Sequence, residues 1–279
     1  MSERGKLRKL LMRVTAVFMT IIMTCLTYAA AVLVGLCIPG KIIGIVNNSN
    51  YYSEQAACIE QRLEDITKDA GLTESVYAGI FETEEIVNIT REYTANKLNG
   101  YDDELNKEAV RERIKANVLA LLEAEGKSKS MIDSDALNTY LEQAASIYEQ
   151  TVNNALVLNY GNVCNNISKV MIAGIAVMII VLGACICFIH ALTKMRRKTL
   201  SYTNRALEAA VALTAIPALI CYFGDFKKYI VYSPEYMADV VNQCIQGTVM
   251  WCLIIAGLWT VLIVVFSVTV WRIKQKKRK

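Results

Sequence analysis

Four long runs without a charged residue constrain this chain more than any other feature. The first, Val14 to Ile38, is followed by Val170 to Thr193, Ala209 to Gly224 and Val240 to Trp271. A hydrocarbon core about 30 Å thick takes about 20 apolar residues of α-helix. The first, second and fourth runs reach that length. The third does so once Ala206, Leu207 and Phe226 are added, giving a span over 206–226 with Glu208 and Asp225 near its two ends. The first run is longer than the apolar part of a cleaved signal peptide, and Leu36-Cys37-Ile38-Pro39 is a poor cleavage site, so it reads as an uncleaved signal anchor.

The basic residues orient these spans. Five lie in the arm 1–13, five in the segment 194–205 and six in the tail 272–279, which is 16 of the 30 Lys and Arg. With four spans, at 14–38, 170–193, 206–226 and 247–271, all three basic segments fall on one side. The expectation is a multi-pass protein with both termini cytoplasmic, its basic clusters setting topology and facing anionic lipid rather than nucleic acid.

Between the first two spans, residues 39–168 carry 11 basic and 21 acidic residues, a net charge of −10 within a chain that is +4 overall. Residues 39–169 are long enough for a domain of their own. Its periodicity is helical. Helices are expected over Tyr51 to Asp69, ended by Gly71, and Glu84 to Leu98, ended by Asn99-Gly100. A third runs from a cap at Asp102 or Asp103 to Glu125, ended by Gly126. A fourth starts at Asp133 or Ser134. The third has Val110, Ile114, Val118, Leu121 and Leu122 on one face. The fourth has Leu137, Leu141, Ala144, Tyr148, Val152 and Leu156. Such stripes need partners, so the fold class is all-α: four transmembrane helices plus an extracytoplasmic helical bundle inserted between spans 1 and 2. The fourth helix is expected to continue into the second span, with Gly161 as its weak point. Ser233-Pro234-Glu235 reads as a helix start inside an outer aromatic loop and helix extension, 227–246, whose Val240, Val241, Cys244 and Ile245 should pack on the bundle.

After the first span the chain reads Asn50-Tyr51-Tyr52, then Gly71-Leu72-Thr73-Glu74-Ser75-Val76 and Glu84-Glu85-Ile86-Val87. This order over residues 1–170 resembles a loose group of Gram-positive bacterial membrane proteins of unknown function, with one amino-terminal span, an acidic helical outer domain and carboxy-terminal spans. The resemblance implies a bacterial plasma-membrane setting and no particular activity.

Candidates for chemistry are few. The single histidine and the lack of a GxSxG, HExxH, Walker or dinucleotide motif point away from catalysis, cofactors and metals. Cys185-x-Cys187-x-x-His190 turns at most two ligands to one helix face, where a structural zinc site takes four. Cys58 and Cys164 are a candidate disulfide on the oxidising side. Within the spans, Thr20, Thr24 and Thr27 share a face and Ala31-x-x-x-Gly35 is a small-residue approach site. The aromatic residues Tyr51 and Tyr52 beside the first span, with Tyr229, Tyr232 and Tyr236 before the last, are the candidate partner surface. The expected partners are the bilayer and another membrane or envelope protein. Interaction, sensing or an accessory role is the leading functional reading, and a channel or transporter component built by oligomerisation is the alternative.

Overall fold

In the computed structural model, residues 3–124, 134–224 and 236–276 are described. Among them every regular element is helical: α1 (Glu3–Leu36), α2 (Pro39–Asn48), α3 (Tyr51–Asp69), α4 (Glu84–Leu98), α5 (Glu108–Ala124), α6 (Ser134–Val152), α7 (Ala155–Thr193), α8 (Arg196–Phe223) and α9 (Tyr236–Lys276), with a short 3-10 turn at Glu74–Val76. The chain divides into two units. One holds Pro39–Asn165 and Val231–Val241, the other Met1–Ile38, Asn166–Ile230 and Asn242–Lys279. Four helices, α1, α7, α8 and α9, are long and apolar enough to cross a membrane.

The polar unit is a bundle whose helices share an apolar core. Ile59 and Leu63 of α3, Ile86 and Tyr93 of α4, Val110, Ile114 and Val118 of α5, and Leu141, Ala144, Tyr148 and Val152 of α6 are buried together. Removing a Leu or Ile side chain from water contributes about 1.5–3 kcal/mol, so this core is the main source of the unit's stability. The predicted stripes of α5 and α6 are the buried faces, with Leu121, Leu122 and Leu137 at their margins, except that Leu156 falls in α7, beyond the break, and Val157 takes the core position there. Buried tyrosine hydroxyls are matched from neighbouring segments: Tyr140 with Thr67 at 2.8 Å, Tyr148 with Thr90 at 2.7 Å, and Tyr93 donating to Asn153 Oδ1. A hydroxyl buried without a partner is unfavourable by about 1–3 kcal/mol, so these pairs fix which helix faces which.

The ends of α3 and α4 fall where the glycines stop them: Gly71 has φ +68° and Gly100 φ +83°, left-handed values that suit glycine at a helix end. Three boundaries differ from expectation. Helix α5 starts at Glu108 rather than near Asp102. The carboxylates that were expected to cap it are engaged elsewhere: Asp102 takes Lys97 Nζ at 3.0 Å, and Asp103 takes Asn96 Nδ2 at 2.8 Å. Pro39 opens an additional helix, α2, which buries Ile42 and Val46. The fourth predicted helix is two, broken at Asn153 and Asn154 and continuous through Gly161. Gly161 serves closeness instead: a Cβ there would lie 2.5 Å from the Lys97 carbonyl oxygen and 2.8 Å from the Gly100 nitrogen.

In the apolar unit α1 packs chiefly on α8. The two run parallel, with Thr20 Oγ1 donating to the Ala206 carbonyl at 3.2 Å and Tyr28 OH to the Leu213 carbonyl at 3.1 Å. Helix α9 runs antiparallel to both. Its Trp259 Nε1 donates to Thr27 Oγ1 at 2.9 Å, and its Ser267 Oγ accepts from Asn204 Nδ2 of α8 at 3.2 Å. Ala31 is fully buried, and a Cβ on Gly35 would stand 2.8 Å from Thr248 Cα, so the expected small-residue approach joins α1 to α9. Helices α7 and α8 meet in a hairpin whose turn is Lys194, at φ +51°, and Met195. The segment 194–205, expected as a loop, is helix from Arg196 onward.

Candidate functional site

Within the polar unit, four chain segments are tied at one buried polar cluster. Asn154 stands just before α7, and its Oδ1 accepts from the amides of Leu156 and Val157 at 3.1 Å each. These amides have no partner inside a first helical turn, so Asn154 caps α7. Its Nδ2 donates to the Tyr51 hydroxyl, at the start of α3, at 2.7 Å. Gln55 Nε2 bridges the Tyr51 hydroxyl and the Thr151 carbonyl, both at 3.3 Å. Tyr236, the first residue of α9, donates its hydroxyl to that same carbonyl at 3.2 Å and packs edge-on against the Tyr51 ring, centroids 5.3 Å apart. Arg62 Nη1 closes the cluster by donating to Thr151 Oγ1 at 2.8 Å. Loss of water around Tyr51 drives its hydroxyl pKa far above the ordinary tyrosine range, so it stays a neutral donor and acceptor. The cluster therefore holds the first turns of two helices, α7 and α9, that go on to supply membrane-length apolar stretches.

Three of the five tyrosines expected as a partner surface meet here. Tyr52 is half-buried, with its ring edge-on to Tyr51 at 5.2 Å and the Arg91 guanidinium 5.3 Å from its centroid. Tyr51 and Tyr236 are only 1% and 5% exposed. These two rings fill the interior where α3, α6, α7 and α9 converge rather than facing outward as a partner surface. Tyr229 and Tyr232 lie outside the described residues, as do Ser233-Pro234-Glu235, Gly126, Asp133, Asp225 and Phe226. The expected packing of the start of α9 on the bundle is seen at Tyr236, Met237 and Val240, all buried. Val241 is half-buried and Ile245 is 39% exposed, so Val240 is the inward position.

In the apolar unit, hydrogen bonds between helices fix their relative register. The contacts of α8 with α1 place Arg13 level with Thr199, and those with α9 place Arg272 at the same level. Thr193, the last residue of α7, meets Thr199 there through its hydroxyl at 3.0 Å. Among the described residues, the stretch of α8 level with the other long apolar helices therefore begins at about Thr199. It contains Asn204, Arg205 and Glu208. Glu208 lies nine residues beyond that level, about 13 Å at 1.5 Å per residue, rather than near an end of the span. Asn204 is 9% exposed and donates to Glu208 Oε1 at 2.7 Å. Arg205 and Glu208 are both exposed on the helix. The Arg, Lys, Asp and Glu census between the levels of Thr199 and Phe223 across all four helices is these two alone. Ionisable side chains at membrane depth mark functional or docking positions. The same register brings the basic residues beginning α1 and α8 and ending α9 to one end of the unit.

Cys58 is half-buried and Cys164 buried, with no bridge between them. Cys185 is half-buried, while Cys187 and His190 are exposed, with His190 Nδ1 3.3 Å from Thr199 Oγ1. No protein-family model, curated protein or solved structure matches this chain.

Proposed function

We propose that this is an interaction or sensing protein of a bacterial plasma membrane, with the acidic helical domain outside the cell and the basic helix ends in the cytoplasm. Occupancy of the outer domain by an envelope partner would be passed to α7 and α9, and from them to a second membrane protein. The observation that carries this reading is the cluster of Tyr51, Gln55, Thr151, Asn154 and Tyr236, which grips the starts of two membrane-length helices in the interior of the polar domain. A rigid grip at a helix start turns a small shift of α3 or α6 into a shift of the helix it holds. The cluster is built of neutral amides and hydroxyls, with Arg62 donating to Thr151 and Gln150, groups suited to holding helices in place.

Two experiments test it. In a chain whose native cysteines have been replaced, a membrane-impermeant thiol reagent applied to intact cells should label Asp102→Cys and spare Lys274→Cys. The reverse pattern ends the topological reading. An impermeant amine cross-linker should then trap the outer domain with one other envelope protein in a fixed ratio, reduced in Asn154→Ala. Ion conductance by the purified chain alone in a planar bilayer would replace this reading with that of a channel.

A further inference from the structure

Helix α8 presents a seam that no other helix of the apolar unit covers among the described residues. Arg205, Ala212 and Leu219 are spaced by seven, and Glu208, Ala209 and Ile216 lie between them on the same face. All six are exposed. Spacing by three and four is the pattern by which two parallel helices interlock, and alanines let their backbones approach in a bilayer.

The charges say what covers this seam. Arg205 has a stem long enough to carry its charge a full helical turn along the seam, whereas the short Glu208 side chain, about 13 Å beyond the level of Arg13 and Arg272, stays at depth. Among the described residues neither forms an ion pair within its own chain. Glu208 takes a neutral amide from Asn204. A surface bearing one cation and one anion a single helical turn apart is complementary to itself under a two-fold rotation, because each chain then offers what the other lacks. A partner of one sign would satisfy only half of it.

We propose that α8 is the contact of a two-fold homodimer in the membrane plane, in which Arg205 of each copy pairs with Glu208 of the other and Ala209, Ala212 and Ile216 interlock above them. Asn204, buried against Ser267 of α9, holds each Glu208 carboxylate in place for its mate. The proposal is separate from the sensing role above and needs only that α8 lie in a bilayer.

The test uses full-length chains labelled with donor or acceptor dyes and reconstituted in lipid vesicles across a range of protein-to-lipid ratios. Wild-type chains should show energy transfer that saturates as a dimer does. Arg205→Glu gives a seam with two acids and Glu208→Arg a seam with two bases. Each alone should dimerise about tenfold more weakly or worse, a size expected of interhelical polar contacts in lipid. Mixed together, the two variants should pair at least as well as wild type, which misfolded chains would not do. Ala212→Trp, which leaves the charges in place, should also abolish transfer. The proposal is overturned if wild type stays monomeric at all ratios, if the single variants dimerise unchanged, if the mixture fails to recover, or if Ala212→Trp has no effect.

Discussion

Asn154 bonds in two directions at once: its Nδ2 donates a hydrogen bond to the Tyr51 hydroxyl at 2.7 Å while its Oδ1 accepts from the amides of Leu156 and Val157. One side chain thus starts α7 and fastens it to α3. Asn154→Ala removes a cap, about 1 kcal/mol, and strips a buried hydroxyl of its better partner, about 1 kcal/mol more. Tyr51→Phe spares the cap and should cost about 1 kcal/mol. Pulse proteolysis of the polar domain in nanodisc-held protein, across a urea series, should rank Asn154→Ala below Tyr51→Phe. Equal losses would mean that the cap contributes nothing.

At the start of α9, Val240 is 1% exposed and Val241 half-buried. A carboxylate at 240 would be buried without a partner, which is unfavourable by several kcal/mol. Val240→Asp should unfold or strongly loosen the polar domain, and Val241→Asp should do markedly less. Protease resistance that ranks them the other way would show α9 turned by about a third of a revolution from its place here.

Gly161 and Gly44 form a matched pair for testing closeness. A methyl on Gly161 meets backbone atoms of Lys97 and Gly100, which cannot swing aside as a side chain can, whereas a methyl on Gly44 of α2 meets nothing within 4 Å. Gly161→Ala should destabilise the domain by about 1–3 kcal/mol, the usual range for overpacking. Gly44→Ala should stabilise it by up to about 1 kcal/mol through helix propensity. Denaturant midpoints of the two variants check both signs.

The contrast explains which parts of the fold were readable in the sequence. Helices α3 and α4 are bounded as their patterns indicate, because Gly71 and Gly100 act on the local backbone and nothing distant opposes them. The core faces of α5 and α6 follow from spacing alone. The start of α5 was not legible, since Asp102 and Asp103 have capping chemistry but their carboxylates are claimed by Lys97 and Asn96 across the turn. At the α6–α7 junction, glycine suggested weakness and asparagine only polarity, yet Asn154 makes the break and Gly161 is continuous helix. The depth of Glu208 depends on the offset between α1 and α8, a property of pairing that no window along one chain contains. The aromatic cluster was legible in part: Tyr51, Tyr52 and Tyr236 do assemble, but only the convergence of four segments shows that two of them are interior.

Buried phenols also set an alkaline limit. Tyr148 in the core has its pKa pushed up to about 12 by burial, against 10.0 for the free side chain, and Tyr52 is likewise raised to about 12. A raised folded-state pKa means that the folded domain holds these protons more tightly than the unfolded chain. That contribution is complete below pH 10 and is lost as the pH climbs from 10 toward 12. The polar domain should therefore be insensitive to these groups at neutral pH and unfold steeply in that alkaline window. Tyrosinate absorbance should rise together with loss of helicity by circular dichroism. Substituting Tyr148→Phe should flatten this part of the alkaline transition, and an unchanged slope would remove Tyr148 as its source.

The register of α8 bears on how the protein is made. A segment carrying Asn204, Arg205 and Glu208 at depth enters lipid reluctantly by itself, whereas α1 and α7 present no such obstacle. Helix α1 leaves the ribosome long before α8 and already displays Met19, Thr20 and Met23, the surface on which Ala206, Leu207 and Ala210 come to rest. The polar turn of α8 can then pass from the translocation channel onto a waiting helix rather than into bare hydrocarbon. Synthesis of the chain is in this sense ordered by its contacts: the first span acts as a receptor for the third, and a chain whose α1 is exchanged for a plain polyleucine span should leave α8 outside the membrane, where glycosylation-site mapping would find it.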